Sequence, residues 1–159
     1  MSTSDYSDLL GLFESLEVRY LVIGGYAVMV YAEPRFTKDL DIWVDPTPEN
    51  ANKVFAALAR FGAPLGECVV DDFTSPGVVF QIGVAPVRID ILTGITGVVF
   101  GDAWRKRERH PFLGGSVWFI SREHLIRNKQ ASGRPRDLID IEELQLAARL
   151  RPDLPESAK

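Results

Sequence analysis

A mixed α/β fold, with one twisted β-sheet of mixed strand direction packed by helices, is predicted from three observations on the sequence. Short apolar runs of strand length alternate with longer segments whose apolar residues return at helical spacing. Glycine and proline stand at the junctions between them. The chain has 159 residues, 46% hydrophobic and 25% charged, the size and balance of one globular domain with its own core. No shift in composition and no repeat marks a second unit. A single domain is therefore expected over residues 1–150, followed by a loose polar tail over 151–159.

Leu9, Leu10, Leu12, Phe13 and Leu16 recur at helical spacing and predict an amphipathic opening helix. Tyr20 to Ile23 is a short apolar run ending at Gly24–Gly25, which reads as a buried strand. Tyr26 to Ala32 makes a short helix that Pro34 stops. Leu40 to Val44 reads as a strand with two different faces. Pro48 to Phe61 is a helix with Thr47 as N-cap, Pro48 in first position and Gly62 just beyond its end. Val69–Val70, Val78 to Ile82 and Val87 to Leu92 read as strands, with a turn at Ser75–Pro76–Gly77 after the first. Asp102 to Arg109 reads as a short helix and Val117 to Ile120 as a strand. Ser121 caps a helix to about Gln130, Gly133 breaks it, and Pro135 starts a last one that is amphipathic from Leu138 to Leu150.

Several function classes are excluded at this level. A formal net charge of −4 argues against duplex binding driven by bulk charge. The lone cysteine, Cys68, rules out an internal disulfide and a cysteine-rich zinc site, and reads as buried rather than nucleophilic. His110 and His124 lack the spacing of a helical zinc motif. Neither a P-loop motif nor a dinucleotide-binding glycine motif occurs. No apolar run nears membrane-spanning length and no secretory leader is visible, so a cytoplasmic location without membrane contact is expected.

The chemistry concentrates between Val22 and Val44. Side chains alternate along a strand, so Asp39 and Asp41 project from one face while Leu40 and Ile42 turn to the core. Two like charges so close repel unless a cation lies between them, and hard oxygen ligands suit Mg²⁺. Gly24 and Gly25 lack side chains where strand passes to helix, so a phosphate can approach the backbone and the positive helix end. On the Val87–Leu92 strand Arg88 and Asp90 share a face. They form an Arg88–Asp90 pair, or an Arg–Asp pair across strands, at a sheet edge or, with that strand beside Asp39 and Asp41, Asp90 completes a three-carboxylate site for two metal ions.

These residues resemble the signature of the DNA polymerase beta-like nucleotidyltransferases: a Gly-Gly or Gly-Ser turn, a short helix, an Asp-x-Asp strand and a third acid on a later strand. Gly24–Gly25, Asp39-Leu40-Asp41 and Asp90 fill those places in order. The stretch PRFTKDLDI, Lys129 and the segment from Arg134 to Leu144 are similar to small bacterial abortive-infection-toxin-type members, with Arg136 where lysine is frequent. The resemblance implies the nucleotidyltransferase fold with short C-terminal helices. It also implies transfer of a nucleoside monophosphate from an NTP to a hydroxyl on RNA (tRNA included), a protein or a small molecule. It further implies a toxin-like role in a two-gene system with a cognate antitoxin protein as partner.

The same resemblance distributes the roles. Asp39, Asp41 and Asp90 are expected to hold two Mg²⁺ or Mn²⁺ ions, Asp90 also helping to deprotonate the acceptor. Gly24 and Gly25 are expected to bind the β- and γ-phosphates, with Lys129 neutralising triphosphate charge. Arg35 and Thr37 either add phosphate contacts or hold their loop. Asp137 and Asp140 read as ordinary helix-start residues, Asp140 within reach of Arg136 four positions back. The basic run Trp104 to His110, with Arg105, Lys106, Arg107 and Arg109, is either an RNA-acceptor patch or a solvated helix face. A catalytically silent module that binds nucleotide or a partner protein is the alternative; three converging charges favour the enzyme.

Overall fold

The computed structural model describes residues 2–84 and 87–150, so the expected tail over 151–159 lies outside the described residues. Helix α1 (Thr3–Ser15) buries Tyr6, Leu9, Leu10 and Phe13, the apolar stripe of the opening segment. Strand β1 (Tyr20–Ile23) is buried on both faces and runs directly into α2 (Gly24–Tyr31). After a loop, β2 (Asp39–Val44) leads to α3 (Pro48–Phe61), whose first turn is capped by the Thr47 hydroxyl accepting from the Asn50 amide. Gly62 closes α3 in the left-handed conformation.

The antiparallel pair β3 (Val79–Val84) and β4 (Val87–Leu92) follows. Helix α4 (Phe100–Arg105), the hairpin β5 (Glu108–Phe112) and β6 (Gly115–Phe119), and helices α5 (Arg122–Ser132) and α6 (Pro135–Leu150) complete the order. The strands form one six-stranded sheet in the order β3-β4-β2-β1-β6-β5. β2 pairs with β4 and β1 with β6 in parallel; the other neighbours are antiparallel. The sheet is thus mixed, as expected. Leu21, Val22, Leu40, Ile42, Ile89 and Ile91 are fully buried along its centre.

Three expected elements differ. Val69–Val70 is no strand: residues Val70–Phe73 make a 3₁₀ turn. The Asp72 carboxylate accepts from the Val69 amide at 2.9 Å, and Phe73 is buried, so a local cap and an apolar anchor hold the chain instead of a ladder. The helix expected to Arg109 ends at Arg105, and Glu108–Phe112 forms β5. β5 is polar and contains Pro111, and it lies at the sheet edge, where proline is tolerated. Helix α6 buries Asp137, Asp140, Ile141 and Leu144 and exposes Leu138, Ile139, Leu146 and Leu150, so its apolar residues run all round it rather than along one stripe. Cys68 is half-buried, and burial raises its thiol pKa. Among the described residues no helix is long and apolar enough to cross a membrane.

Candidate active site

The site is built where β1 turns into α2 against β2. Gly24 has φ +70°, and a Cβ there would stand 2.3 Å from Asp41 Oδ2. At Gly25 a Cβ would stand 2.4 Å from Thr37 Oγ1. Both positions need glycine so that Asp41 and Thr37 can lie directly on the turn. Tyr6, buried under the loop, donates its hydroxyl to the Lys38 carbonyl at 3.1 Å and reaches the Arg88 carbonyl at 3.4 Å, which ties the residue before Asp39 to β4. The same burial, with Tyr26 next to it, pushes the Tyr6 pKa up to about 12, so the phenol remains a donor.

The parallel register of β2 and β4 sets Asp41 opposite Asp90 and Asp39 opposite Arg88. The three aspartates therefore lie on neighbouring strands. Arg88 also forks onto Asp90, Nε to Oδ1 at 2.9 Å and Nη2 to Oδ2 at 3.2 Å, but β4 lies between β3 and β2 and not at the sheet edge expected for that pair. Arg88 Nη2 reaches Asp39 Oδ2 at 3.0 Å. Asp39 Oδ1 is buried without a hydrogen-bond partner. Burial first, then the charges of Asp90 and Asp39, push the Asp41 pKa up to about 7. Asp90 is raised as well, by burial that its Arg88 hydrogen bond only partly offsets. Among the described residues no three histidine, cysteine or acidic side chains already stand arranged around one ion.

A second charged cluster forms the opposite wall. Lys129, expected to face the cleft, lines the cavity but is only 8% exposed. Its amine donates to Asp140 at 2.8 Å and lies 3.5 Å from Asp137. Arg35 also pairs with Asp140, so it fastens its loop to α6, while Arg134 donates to Asp137 at 2.9 Å. Asp140 is thus engaged by Lys129 and Arg35, not by Arg136. Burial works against both carboxylates, but hydrogen bonds from Lys129 and Arg35 to Asp140, and from Arg134 to Asp137, outweigh it and lower both pKa values. Asp137 and Asp140 are thus members of a buried charge cluster and not the ordinary helix-start residues expected. Their spacing with Ile141 and Leu144, which places two acids on the buried face of α6, is the signal in the sequence.

Between the two clusters lies a cavity of about 730 Å³ that contains every expected site residue: Gly24, Gly25, Arg35, Thr37, Asp39, Asp41, Asp90 and Lys129. Arg134, Arg136 and the 77%-exposed Phe36 line it too. The basic run lies elsewhere. Arg107 stacks on Trp104 and Trp118 at 3.9 and 4.2 Å, Arg109 on Trp118 at 3.9 Å, and Arg19 lies over Trp104. Arg19 precedes Tyr20, whereas the site adjoins Ile23, so this stack sits at the opposite end of β1. Arg109 is further engaged by Glu14, and Arg105 pairs with Asp102.

The family model described as "Nucleotidyltransferase of unknown function (DUF6036)" matches residues 7–156. No curated protein matches the chain. Among solved structures, the lincosamide antibiotic adenylyltransferase LnuA with lincomycin bound is similar at TM-score 0.58 and 18% identity, over 91% of this chain and 97% of that one. ANT(2'')-Ia in complex with adenylyl-2''-tobramycin is similar at TM-score 0.60 and 17% identity, over 94% and 90%. An antigenic nucleotidyltransferase-like protein from Paracoccidioides brasiliensis follows at TM-score 0.51 and 16% identity, over 92% and 75%. At these identities the likeness is one of fold.

Proposed function

The chain belongs to this nucleotidyltransferase family, and on that premise we propose that it transfers a nucleoside monophosphate from an NTP to a hydroxyl group and releases pyrophosphate. One observation carries the reading: Asp41 and Asp90 stand side by side in register, with Asp39 one side-chain repeat away, beneath a glycine turn that a single Cβ would block. The same observation tests the fit of a divalent metal. A buried, unpartnered Asp39 oxygen and a neighbouring carboxylate whose charge is disfavoured are hard donors short of a cation, and they suit Mg²⁺ or Mn²⁺. Asp39 and Asp41 are the residues that would hold it, with Asp90 beside Asp41 in register. When bound, such a cation draws negative charge from the α-phosphoryl group and the leaving pyrophosphate.

The chain's own groups would bind and orient the reactants. No side chain caps the first turn of α2, which leaves its amides for the β- and γ-phosphates at a helix end that favours anions. Arg134 and Arg136 bring positive charge to the same cavity, with Lys129 held at its wall. The acceptor oxygen attacks the α-phosphorus, the bond to the bridging oxygen of the β-phosphate breaks, and the hydroxyl proton passes to a carboxylate of the acidic set. Arg35 and Thr37 hold the loop that carries Asp39. Because the Arg107–Trp stack lies at the far end of β1, an acceptor small enough to enter the cavity fits better than an RNA gripped by that stack. A small hydroxylated compound, the kind bound in the two antibiotic transferases, is the proposed class.

The test is incubation of the protein with each α-labelled NTP, Mg²⁺ or Mn²⁺, and three acceptor pools: hydroxylated small molecules, total RNA and cell lysate. Label transferred to an acceptor with pyrophosphate released is the expected result. No transfer and no pyrophosphate release from any NTP with all three pools would overturn the reading.

A further inference from the structure

Resting on that reading, we propose that Arg88 occupies the place of one of the two metal ions, so that this site takes a single divalent cation, held by Asp39 and Asp41. Arg88 lies within the acidic set rather than at its edge. Its Nη2 is 3.0 Å from Asp39 Oδ2 and 3.2 Å from Asp90 Oδ2, and its Nε is 2.9 Å from Asp90 Oδ1. Both oxygens of Asp90 and one of Asp39 are therefore satisfied by one guanidinium. A cation bridging Asp39 and Asp90 would have to take that same place.

The placement is built into the fold. Arg88 is the cross-strand partner of Asp39 and stands two residues before Asp90 on the same face, so the pleat aims it between the two carboxylates. Tyr6 reaches the carbonyls of both Arg88 and Lys38 and holds the two backbones together. A planar fork with several fixed donors loses little freedom in such a site, and a lysine could not reproduce it.

What Arg88 leaves unserved is the Asp39 Oδ1 atom, buried with no partner, and the Asp41 carboxyl, which none of the Arg88 hydrogen bonds reaches. The Asp41 carboxyl adjoins the Gly24 turn. Three carboxylates and one guanidinium leave two negative charges, which one divalent ion neutralises. Asp90 then becomes a positioning residue that orients Arg88 rather than a ligand.

The experiment is Mn²⁺ titration of the protein with a non-transferable NTP analogue, followed by electron paramagnetic resonance. Two Mn²⁺ ions at about 3.5–4 Å couple and broaden each other's signal, whereas a single ion does not. The wild type should bind one Mn²⁺ per chain with an uncoupled signal, and Arg88→Gln should bind two with a coupled one. Arg88→Lys, keeping the charge without the fork, should show partial uptake of the second ion. A coupled pair in the wild type overturns the Arg88 assignment while leaving the transferase reading intact, and needs no variant to fold. A single ion in folded Arg88→Gln also overturns it. Absence of any Mn²⁺ or analogue binding by the wild type would overturn both.

Discussion

Two buried charge clusters face each other across the cavity, and they are built in opposite ways. On the strand side three carboxylates share one guanidinium, Asp41 and Asp90 have raised pKa values, and an Asp39 oxygen is unsatisfied. On the helix side Asp137 and Asp140 meet Lys129, Arg35 and Arg134, and both pKa values are lowered. The helix cluster holds α5, α6 and the loop before β2 together. The strand cluster crowds like charges that one guanidinium only partly offsets, and on the proposed reading a cation from outside would relieve them. On the proposed reading, that contrast separates aspartates kept for structure from aspartates kept for chemistry.

Breaking the helix cluster should have the largest effect on stability. Asp140→Ala leaves Lys129 short of its nearest partner and frees Arg35, and should cost about 3–5 kcal/mol, the usual penalty for splitting a buried pair. Urea denaturation would measure it. Lys129→Ala should also destabilise, since it takes one cation from two carboxylates that are each 1% exposed and leaves Asp140 only Arg35 and Asp137 only Arg134. That differs from the expectation of a lysine free to face the cleft. If either variant melted like the wild type, the two clusters would not differ as described.

The pH dependence should also divide them, with the signs opposed. Asp41 binds its proton more tightly folded than unfolded, so metal-free protein should lose stability as pH rises from about 4 through about 7. The loss should be on the order of 2 kcal/mol once solvent screening is allowed for. Asp41→Asn should remove that loss and leave the metal-free protein as stable at neutral pH as the wild type, or more so. Asp137 and Asp140, with lowered values, contribute stability that is present above the ordinary carboxylate range and lost as pH falls through their folded values. Melting temperatures of both proteins from pH 3 to 8, without metal, would show both trends. Added Mn²⁺ should raise the wild-type melting temperature more than that of Asp41→Asn.

The smallest effect belongs to the distant arginines. Arg105→Ala with Arg107→Ala should change NTP affinity by less than about twofold, since the Trp104–Trp118 stack lies at the other end of β1. Isothermal titration would detect a larger change, which would mean that the two ends of the sheet are coupled.

Much of this was legible in the residues, for reasons of local geometry. The period-two alternation of Asp39 to Ile42 put both acids on one face, and the strand–glycine–helix order placed the turn beside them. The Thr47–Pro48–Gly62 and Ser121–Gly133 signals gave α3 and α5 their ends because caps are local chemistry. What stayed hidden depends on partners distant in sequence. The Arg35 link to Asp140 spans 105 positions. Strand β5 was hidden because an edge strand tolerates the proline and charges that argue against a central one. The Val70–Phe73 turn was hidden because a carboxylate cap decided it in place of side-chain period.

The central claim is that Asp41 serves catalysis and not the fold, and one paired measurement tests it most directly. Transfer of label from α-labelled NTP and the metal-free melting temperature would be taken on the same preparations of wild type and Asp41→Asn. The account predicts a transfer rate reduced by at least about 10²–10³-fold, with a melting temperature equal to or above that of the wild type. Transfer by Asp41→Asn at the wild-type rate would contradict it.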